Sequence, residues 1–464
     1  MAYLGKKGYT IYKKDCPNHM LIKIRSELNV QPESNQSFET KEYPIYRESD
    51  QKMYLPRYYG LKTIGPFDNK LSNGLNISLK FEGTLFDYQN NIIDKYIKHV
   101  GASGGGLLDV EPGKGKTVMA LNIISKLQKK TLVIVHKSFL MNQWDERIKT
   151  FLPNAKIGKI QGDIIDVEHK DIVLGMLQSL SNKKYDPVIW DDFGLCIFDE
   201  CHHLSAEVFS NIMINVVTNY NLGLSGTMTR KDGLTKVFEY FIGPVVHKEI
   251  TDLTCDVLVK SIKYHNDTMF DDIKTDFRGN PMYSIMINKL NCNDRNNFIV
   301  NIVKNELNIN KDQQIMILAH TKTLIEQLFI GINEFEQSIG YYVGGMKEDK
   351  LKQSENKKII LGTYAMASEG LDIKTLTTLI MATPKSDVCQ SVGRILRSKH
   401  TSPLVIDIID PHVIFKNQYK KRCTYYKSKK YTIQQYASTA SYLNNIKNDN
   451  ENNKLSQSTC LIKL

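Results

Sequence analysis

The sequence predicts an α/β protein built from two tandem lobes with parallel sheets, preceded by a small accessory domain. Three observations lead there. From about Phe81, short β-branched apolar runs alternate with longer helical stretches, as strands buried on both faces between covering helices do. The alternation lapses and then resumes, which gives two lobes in place of one. The first 80 residues show no sustained period at all.

Taken in order, residues 1–80 are rich in Tyr and Lys and are broken by PESNQS (Pro32–Ser37) and GPFDNKLSNG (Gly65–Gly74), so a small accessory domain is expected there. The first lobe, 81–250, carries strand-like runs at Thr131–Val135, Asp171–Met176, Leu195–Asp199 and Leu222–Gly226. The second, 251–440, repeats the pattern at Ile315–Thr321, Lys358–Thr363, Thr378–Pro384 and Pro403–Asp410, and closes on a basic segment. From Ser441 to Leu464 the stretch NNIKNDNENNK has too little apolar surface to offset its ordering entropy, and a disordered tail is expected.

A chain of 464 residues has room for roughly three domains. Its net charge of +11 points to a polyanionic partner, nucleic acid before membrane, since no basic amphipathic anchor is present. No run approaches the roughly 18 apolar residues of a membrane span, and the opening MAYLGKKGYTIYKKDC lacks a signal peptide's apolar core. Eight scattered cysteines without a CxxC pair fit free thiols in a reducing, intracellular compartment.

The chemistry concentrates in two stretches. In LLDVEPGKGKTVMALNII (Leu107–Ile124) an apolar strand runs through a Gly-containing turn into an amphipathic helix. Gly113, Lys114 and Gly115 would aim backbone N–H groups at phosphate oxygens, Lys116 would reach the β/γ-phosphates, and Thr117 would ligate Mg²⁺ at the helix N-terminus, followed by Val118. The pattern GxxxxGK[ST] begins with Gly, and here Val110 stands in that place. In LCIFDECHHL (Leu195–Leu204), Asp199 at the carboxyl edge of the sheet would hold Mg²⁺, and Glu200 would deprotonate the attacking water. A zinc site of Cys196, Cys201, His202 and His203 is the competing reading. It fits poorly, because Cys196 falls inside the strand and CxxxxCHH matches no usual zinc spacing.

VEPGKGKT followed by DECH resembles the ATPase core of superfamily 2 helicases, which show DExH at this place. LFDYQ (Leu85–Gln89) resembles the upstream adenine-recognition segment, TLVIVHKSFLMNQW (Thr131–Trp144) motif Ia, DIVLGMLQSL motif Ib and LSGTMTRKDG motif III. LAHTKTLIEQL is similar to motif IV, GTYAMASEGLDI to motif V and QSVGRILR to motif VI. The wording is most similar to helicases of large nucleocytoplasmic DNA viruses, the poxvirus transcript-release type among them, and to XPB-type helicases. The resemblance implies two RecA-like lobes that close on ATP and Mg²⁺. It implies Gln89, Gly370 and Asp372 at the nucleotide, and Gln390 with Arg394 and Arg397 reaching the γ-phosphate. His202, Ser225 and Thr227 would couple hydrolysis to lobe movement.

A motor grips the backbone without sequence preference. Family position puts His136, Lys137, Gln178, Ser179, Gly345 and Thr363 on that track. KNQYKKRCTYYKSKKY (Lys416–Tyr431) adds seven Lys/Arg and four tyrosines, suited to phosphates and base stacking or simply to a charged exposed helix. The expectation is an ATP-dependent translocase or helicase on DNA. A duplex translocase that releases transcripts, an RNA helicase and an inactive nucleic-acid scaffold are the alternatives. Expected partners are DNA or RNA and a transcription or replication machinery. If the protein is viral, the expected places are the host cytoplasm, the viral factory or the virion, with the nucleus also open.

Overall fold

The computed structural model describes residues 2–31, 42–111, 113–200, 206–226, 234–248, 257–266, 268–271, 279, 282–368, 373, 375–388, 391–392 and 403–443. The chain divides into two compact units, Met1–Ile250 and Thr251–Leu464. The sheets of both are those of RecA-like α/β lobes, as the alternating pattern predicts.

The first unit opens with β1 (Tyr3–Gly5), β2 (Gly8–Tyr12), the short pair β3 (Asn29–Val30) and β4 (Tyr43–Pro44), then β5 (Arg47–Glu48), β6 (Lys52–Leu55) and β7 (Asp68–Asn69). Five of these form one sheet in the order β5-β6-β2-β1-β7. Strand alternation puts Leu4, Tyr9, Ile11, Met53 and Leu55 on one face, all at most 6% exposed. That face does not form a private core. Tyr9, Ile11, Leu55 and Tyr59 share one apolar cluster with Leu107, Phe238 and Phe241 of the following lobe. Tyr59 packs edge-on against Tyr240, with ring centroids 5.2 Å apart, and Arg57 Nη1 donates to the Asn219 carbonyl at 2.8 Å.

Eight further strands follow: β8 (Gly105–Asp109), β9 (Thr131–Val135), β10 (Ile157–Gln161), β11 (Ile164–Asp166), β12 (Ile172–Met176), β13 (Leu195–Phe198), β14 (Tyr220–Ser225) and β15 (Val245–Lys248). They make one sheet in the order β11-β10-β12-β9-β13-β14-β8-β15. All neighbours are parallel except the β10–β11 hairpin. The central strands are buried on both faces because helices cover both. The helix Asp87–Ser103, for example, turns Ile92, Ile93, Tyr96 and Val100 inward at helical spacing. The order matters for function: β14 lies between β8 and β13, so the carboxyl ends of all three converge on one edge.

The second unit contributes β16 (Leu258–Lys263), β17 (Gln314–Ala319), β18 (Ile339–Tyr342), β19 (Ile359–Thr363), β20 (Leu376–Met381), β21 (Leu404–Ile409) and β22 (Thr432–Tyr436). These form a wholly parallel sheet in the order β18-β19-β17-β20-β21-β16-β22. Two fully buried bidentate ion pairs clamp helices to β21 and to the residue that follows it. Arg295 meets Asp410 at 2.7 and 2.9 Å, and Arg422 meets Asp407 at 2.8 Å on both arms.

The basic segment divides in a way that composition does not foresee. The helix Val413–Ser428 buries Phe415, Arg422 and Tyr426 and turns Lys416, Lys420, Lys421 and Lys427 outward. Beyond it, β22 completes the sheet. Ordered packing also runs past the expected start of the tail at Ser441, since Tyr442 is buried and its hydroxyl donates to Glu306 Oε1 at 2.7 Å. Residues 444–464 lie outside the described residues.

Candidate active site

The first unit brings its predicted nucleotide residues together at the carboxyl edge of β8, β14 and β13. Beyond β8 the chain turns through Gly113 (φ +86°) and Gly115 (φ +81°), both in the left-handed region that favours glycine, before the helix Lys116–Leu127 begins. A Cβ at Gly115 would lie 2.4 Å from Gln89 Nε2, so the loop also needs glycine for room. Val110 departs from the general pattern for a local reason. Its side chain is fully buried in the lobe's apolar core, its N–H donates to the Ser225 carbonyl at 2.9 Å, and it has no positive φ to accommodate.

Lys116 is buried and aimed inward. Its Nζ donates to the Val110 carbonyl at 3.2 Å and stands 3.4 Å from Glu200 Oε1. Thr117 and Val118 follow on the first turn of the helix, half-exposed. Glu200 itself sits at φ +48°, a left-handed conformation that an ordinary side chain adopts at some cost and that recurs at functional sites. Asp199, 6% exposed, accepts a hydrogen bond from Trp144 Nε1 at 2.8 Å. Burial first, and the adjacent Glu200 second, push its pKa up to about 6, against the opposing pulls of Trp144, Lys116 and His136.

Gln89 is present at the site and bonded to its turn. Its Oε1 accepts from the Phe86 N–H and its Nε2 donates to the Lys114 carbonyl, both at 3.0 Å. The side chain therefore ties the start of the helix Asp87–Ser103 to the phosphate turn. Beside it stands an aromatic pair that sequence reasoning misses: Phe86, 67% exposed, stacks on Tyr88 with centroids 5.8 Å apart, and Tyr88 donates to the Lys114 carbonyl at 3.0 Å. Trp144 is missed as well. The signal lies in HKSFLMNQW, where a Trp joins a helix face otherwise made of Leu140, Met141 and Ile148.

Of the residues expected on the nucleic-acid track, His136, Lys137, Gln178 and Ser179 gather at the ends of β9 and β12. Gln178 Nε2 donates to the His136 carbonyl at 3.1 Å, and the Ser179 hydroxyl accepts from the Gly162 N–H at 2.8 Å. His136 lies close enough to Asp199 and Glu200 to feel both, while burial and Lys137 lower its pKa. Ser225 is fully buried at the end of β14. In the second unit, Gly345 (φ +92°) follows β18 and Thr363 ends β19, at the corresponding sheet edge. His320, just past β17, has its Nδ1 2.6 Å from Thr383 Oγ1. The expected residues His202, Thr227, Gly370, Asp372, Gln390, Arg394 and Arg397 lie outside the described residues, as do Cys201 and His203 of the zinc reading. Cys196 is buried within β13.

Residues 82–230 match the family model "Type III restriction enzyme, res subunit", and residues 297–399 match "Helicase conserved C-terminal domain". The protein named "Putative ATP-dependent RNA helicase L396", from Acanthamoeba polyphaga mimivirus, is 37% identical over 448 residues, covering 92% of this chain and 86% of its own. The chain belongs to this helicase family. The helicase shares 28% identity with "Putative helicase 161L" of Invertebrate iridescent virus 6, over 76% of this chain and 82% of that one. It shares 29% with "Putative ATP-dependent RNA helicase QP509L" of African swine fever virus, over 78% and 76%. The solved structure of T4 UvsW aligns over 91% of this chain and 96% of its own at 19% identity with a TM-score of 0.36, too loose a likeness to bear on the fold. Membership of the family makes the protein a nucleic-acid-dependent ATPase. No helix among the described residues is long and apolar enough to cross a membrane.

Proposed function

We propose that the protein is a superfamily 2, DExH-type motor that couples Mg²⁺-dependent ATP hydrolysis to movement along nucleic acid and to strand separation, with DNA as its track, in viral transcription or replication. The observation that carries this reading is the convergence of Lys116, Asp199 and Glu200 on one sheet edge, with Lys116 Nζ 3.4 Å from Glu200 Oε1. The phosphate turn suits such a ligand: its two glycines lie in the left-handed region, and the buried Lys116 ammonium belongs to the first residue of the following helix. Thr117 and Asp199 offer oxygen donors only, the set a hard divalent cation takes. Magnesium, when bound there, would neutralise charge developing on the β/γ-phosphate oxygens.

The chain's own residues supply the rest. Lys116 exchanges its contact with Glu200 for the phosphates, which leaves the Glu200 carboxylate to take the proton of the attacking water. Trp144 orients Asp199. Phe86 and Tyr88 form a stacking surface for the base, and Gln89 holds that surface against the phosphate turn. On the family's motifs alone, Arg394 and Arg397, with Gln390, Gly370 and Asp372, are assigned to ATP hydrolysis, and His202, Ser225 and Thr227 to coupling it with movement. His136, Lys137, Gln178, Ser179, Gly345 and Thr363 contact the backbone of the track. The second reading, an RNA duplex as substrate, rests on the names of the mimivirus and swine fever virus relatives. A viral factory or virion in a reducing compartment suits a chain whose described cysteines are all free.

The test has two arms. Lys116→Ala should abolish ATP turnover, while Glu200→Gln should keep ATP binding and lose hydrolysis; normal turnover in either variant removes the site assignment. Strand displacement on matched DNA and RNA duplexes then decides the substrate. Displacement confined to RNA would replace the DNA reading by the second one.

A further inference from the structure

We propose that the outer face of the N-terminal sheet is a second polynucleotide site, a stacking platform for single-stranded nucleic acid outside the two motor lobes. This extends the translocase reading to residues that none of the helicase motifs reach.

The register defines the face. Tyr3 pairs with Thr10, Thr10 with Tyr54, Tyr12 with Lys52, and Arg47 with Tyr54, so these side chains share the side opposite the buried Leu4, Tyr9, Ile11, Met53 and Leu55. Three tyrosines thus stand on a rigid sheet, half-exposed, with Thr10 sealed between Tyr3 and Tyr54. Four ammonium groups converge on their rings. Lys52 Nζ lies 4.8 Å from the Tyr12 centroid and 5.5 Å from that of Tyr3, Lys70 4.7 Å from Tyr3, Lys7 5.1 Å from Tyr54, and Lys14 5.9 Å from Tyr12. Lys52 also donates to the Tyr3 hydroxyl at 3.0 Å.

Charge decides the occupant. Among the described residues, none of Lys7, Lys14, Lys52 and Lys70 forms an ion pair, whereas the nearby Glu48 is taken by Lys13 at 2.7 Å and Arg25 at 3.0 Å. The strand partner of Glu48 is Met53, which places it on the other side of the register. One carboxylate, the exposed Asp68, pairs with Tyr3 at the edge of the face. The lysines are therefore held at aromatic rings without a carboxylate in ion-pair contact among the described residues. A single strand brings both complements: phosphates draw the ammonium groups off the rings, and bases take their place. A duplex would meet the lysines but offer no open base to the tyrosines.

The platform shares its core with the first lobe, so the test uses the full chain. Fluorescence anisotropy would follow binding of labelled oligo-dT, oligo-U and a DNA duplex, without nucleotide and at several salt concentrations. It would compare the parent with Lys7→Gln/Lys14→Gln/Lys70→Gln and with Tyr12→Leu/Tyr54→Leu. The lysine variant should bind single strands at least about tenfold more weakly. Its dependence of log K on log salt should flatten by about 0.7 for each phosphate it no longer neutralises. The tyrosine variant should bind single strands at least about fivefold more weakly with its salt dependence kept. Basal ATP turnover should be unchanged in both. Affinity equal to the parent's in both variants would overturn the proposal, and so would a weakening confined to duplex. Because anisotropy reads binding directly, an ATPase indifferent to nucleic acid would count against the translocase reading and leave this result standing. Should a variant melt early, acetylation of the parent's Lys7, Lys14 and Lys70 decides: protection by oligo-dT supports the platform, and unchanged labelling refutes it.

Discussion

Asp199 and Trp144 form a pair whose effect can be measured at the level of single residues. The indole N–H fixes one carboxylate oxygen and favours the ionised form, while burial and Glu200 oppose ionisation. Trp144→Phe keeps the packing and removes the hydrogen bond. The Mg²⁺ concentration needed for half-maximal ATPase should then rise by about tenfold, the size usual for a group that orients a metal ligand. Nucleotide binding without Mg²⁺ should not change, and an unshifted Mg²⁺ dependence would return Trp144 to the core. The raised pKa also has a sign. The folded protein holds the Asp199 proton more tightly than the unfolded chain, with its ordinary value of 3.8, does. The stabilisation this gives is complete at acid pH below about 4 and is lost as pH rises through about 6. In Mg²⁺-free buffer, Asp199→Asn should flatten that decline, as read by denaturant unfolding at each pH. At this scale the sequence announces Lys116, Asp199 and Glu200, because motif spacing encodes them. It cannot announce Trp144 or the Phe86–Tyr88 pair, since their roles come from hydrogen bonds across 55 and 26 positions of chain.

The central strands are legible for a physical reason: a strand buried on both faces must be apolar throughout, as TLVIV at β9 and the run at β12 are. Strands that are half-exposed or carry polar residues, such as β10, β11, β16 and β22, have no such signature and emerge only through their pairing. The same limit hides the fate of Arg422. Composition reads the segment around it only as suited to phosphates and base stacking or as a charged exposed helix. In the structure Arg422 is 1% exposed and bound on both arms by Asp407, to which Tyr426 also donates at 3.0 Å. Deletion from Arg422 would take away β22, Tyr426 and Tyr442 and should unfold the second unit. Arg422→Met leaves Asp407 buried beside Tyr426 without its cation and should cost about 3–5 kcal/mol, seen as a lower unfolding midpoint. A midpoint within experimental error of the parent's would show that the pair is dispensable. The lysines of the same helix, Lys416, Lys420, Lys421 and Lys427, stay exposed.

At the scale of the whole molecule, there are two α/β units; the first gathers Lys116, Asp199 and Glu200 at one carboxyl sheet edge, and a smaller N-terminal sheet shares its apolar core. The two lobes can be foreseen because the βα alternation stops and restarts. The fused core cannot, because residues 1–80 lack a period and their partners, Phe238 and Phe241, lie far along the chain. Binding of a strand should favour the hydrolysis-competent arrangement, so that grip on nucleic acid and ATP turnover are linked free energies. The most direct test is the steady-state ATPase rate of the full chain against polynucleotide concentration at several salt levels. The predicted result is a low basal rate raised by nucleic acid, with a half-stimulating concentration that climbs steeply with salt and depends little on base sequence. A rate that no DNA or RNA alters at any salt concentration would contradict it.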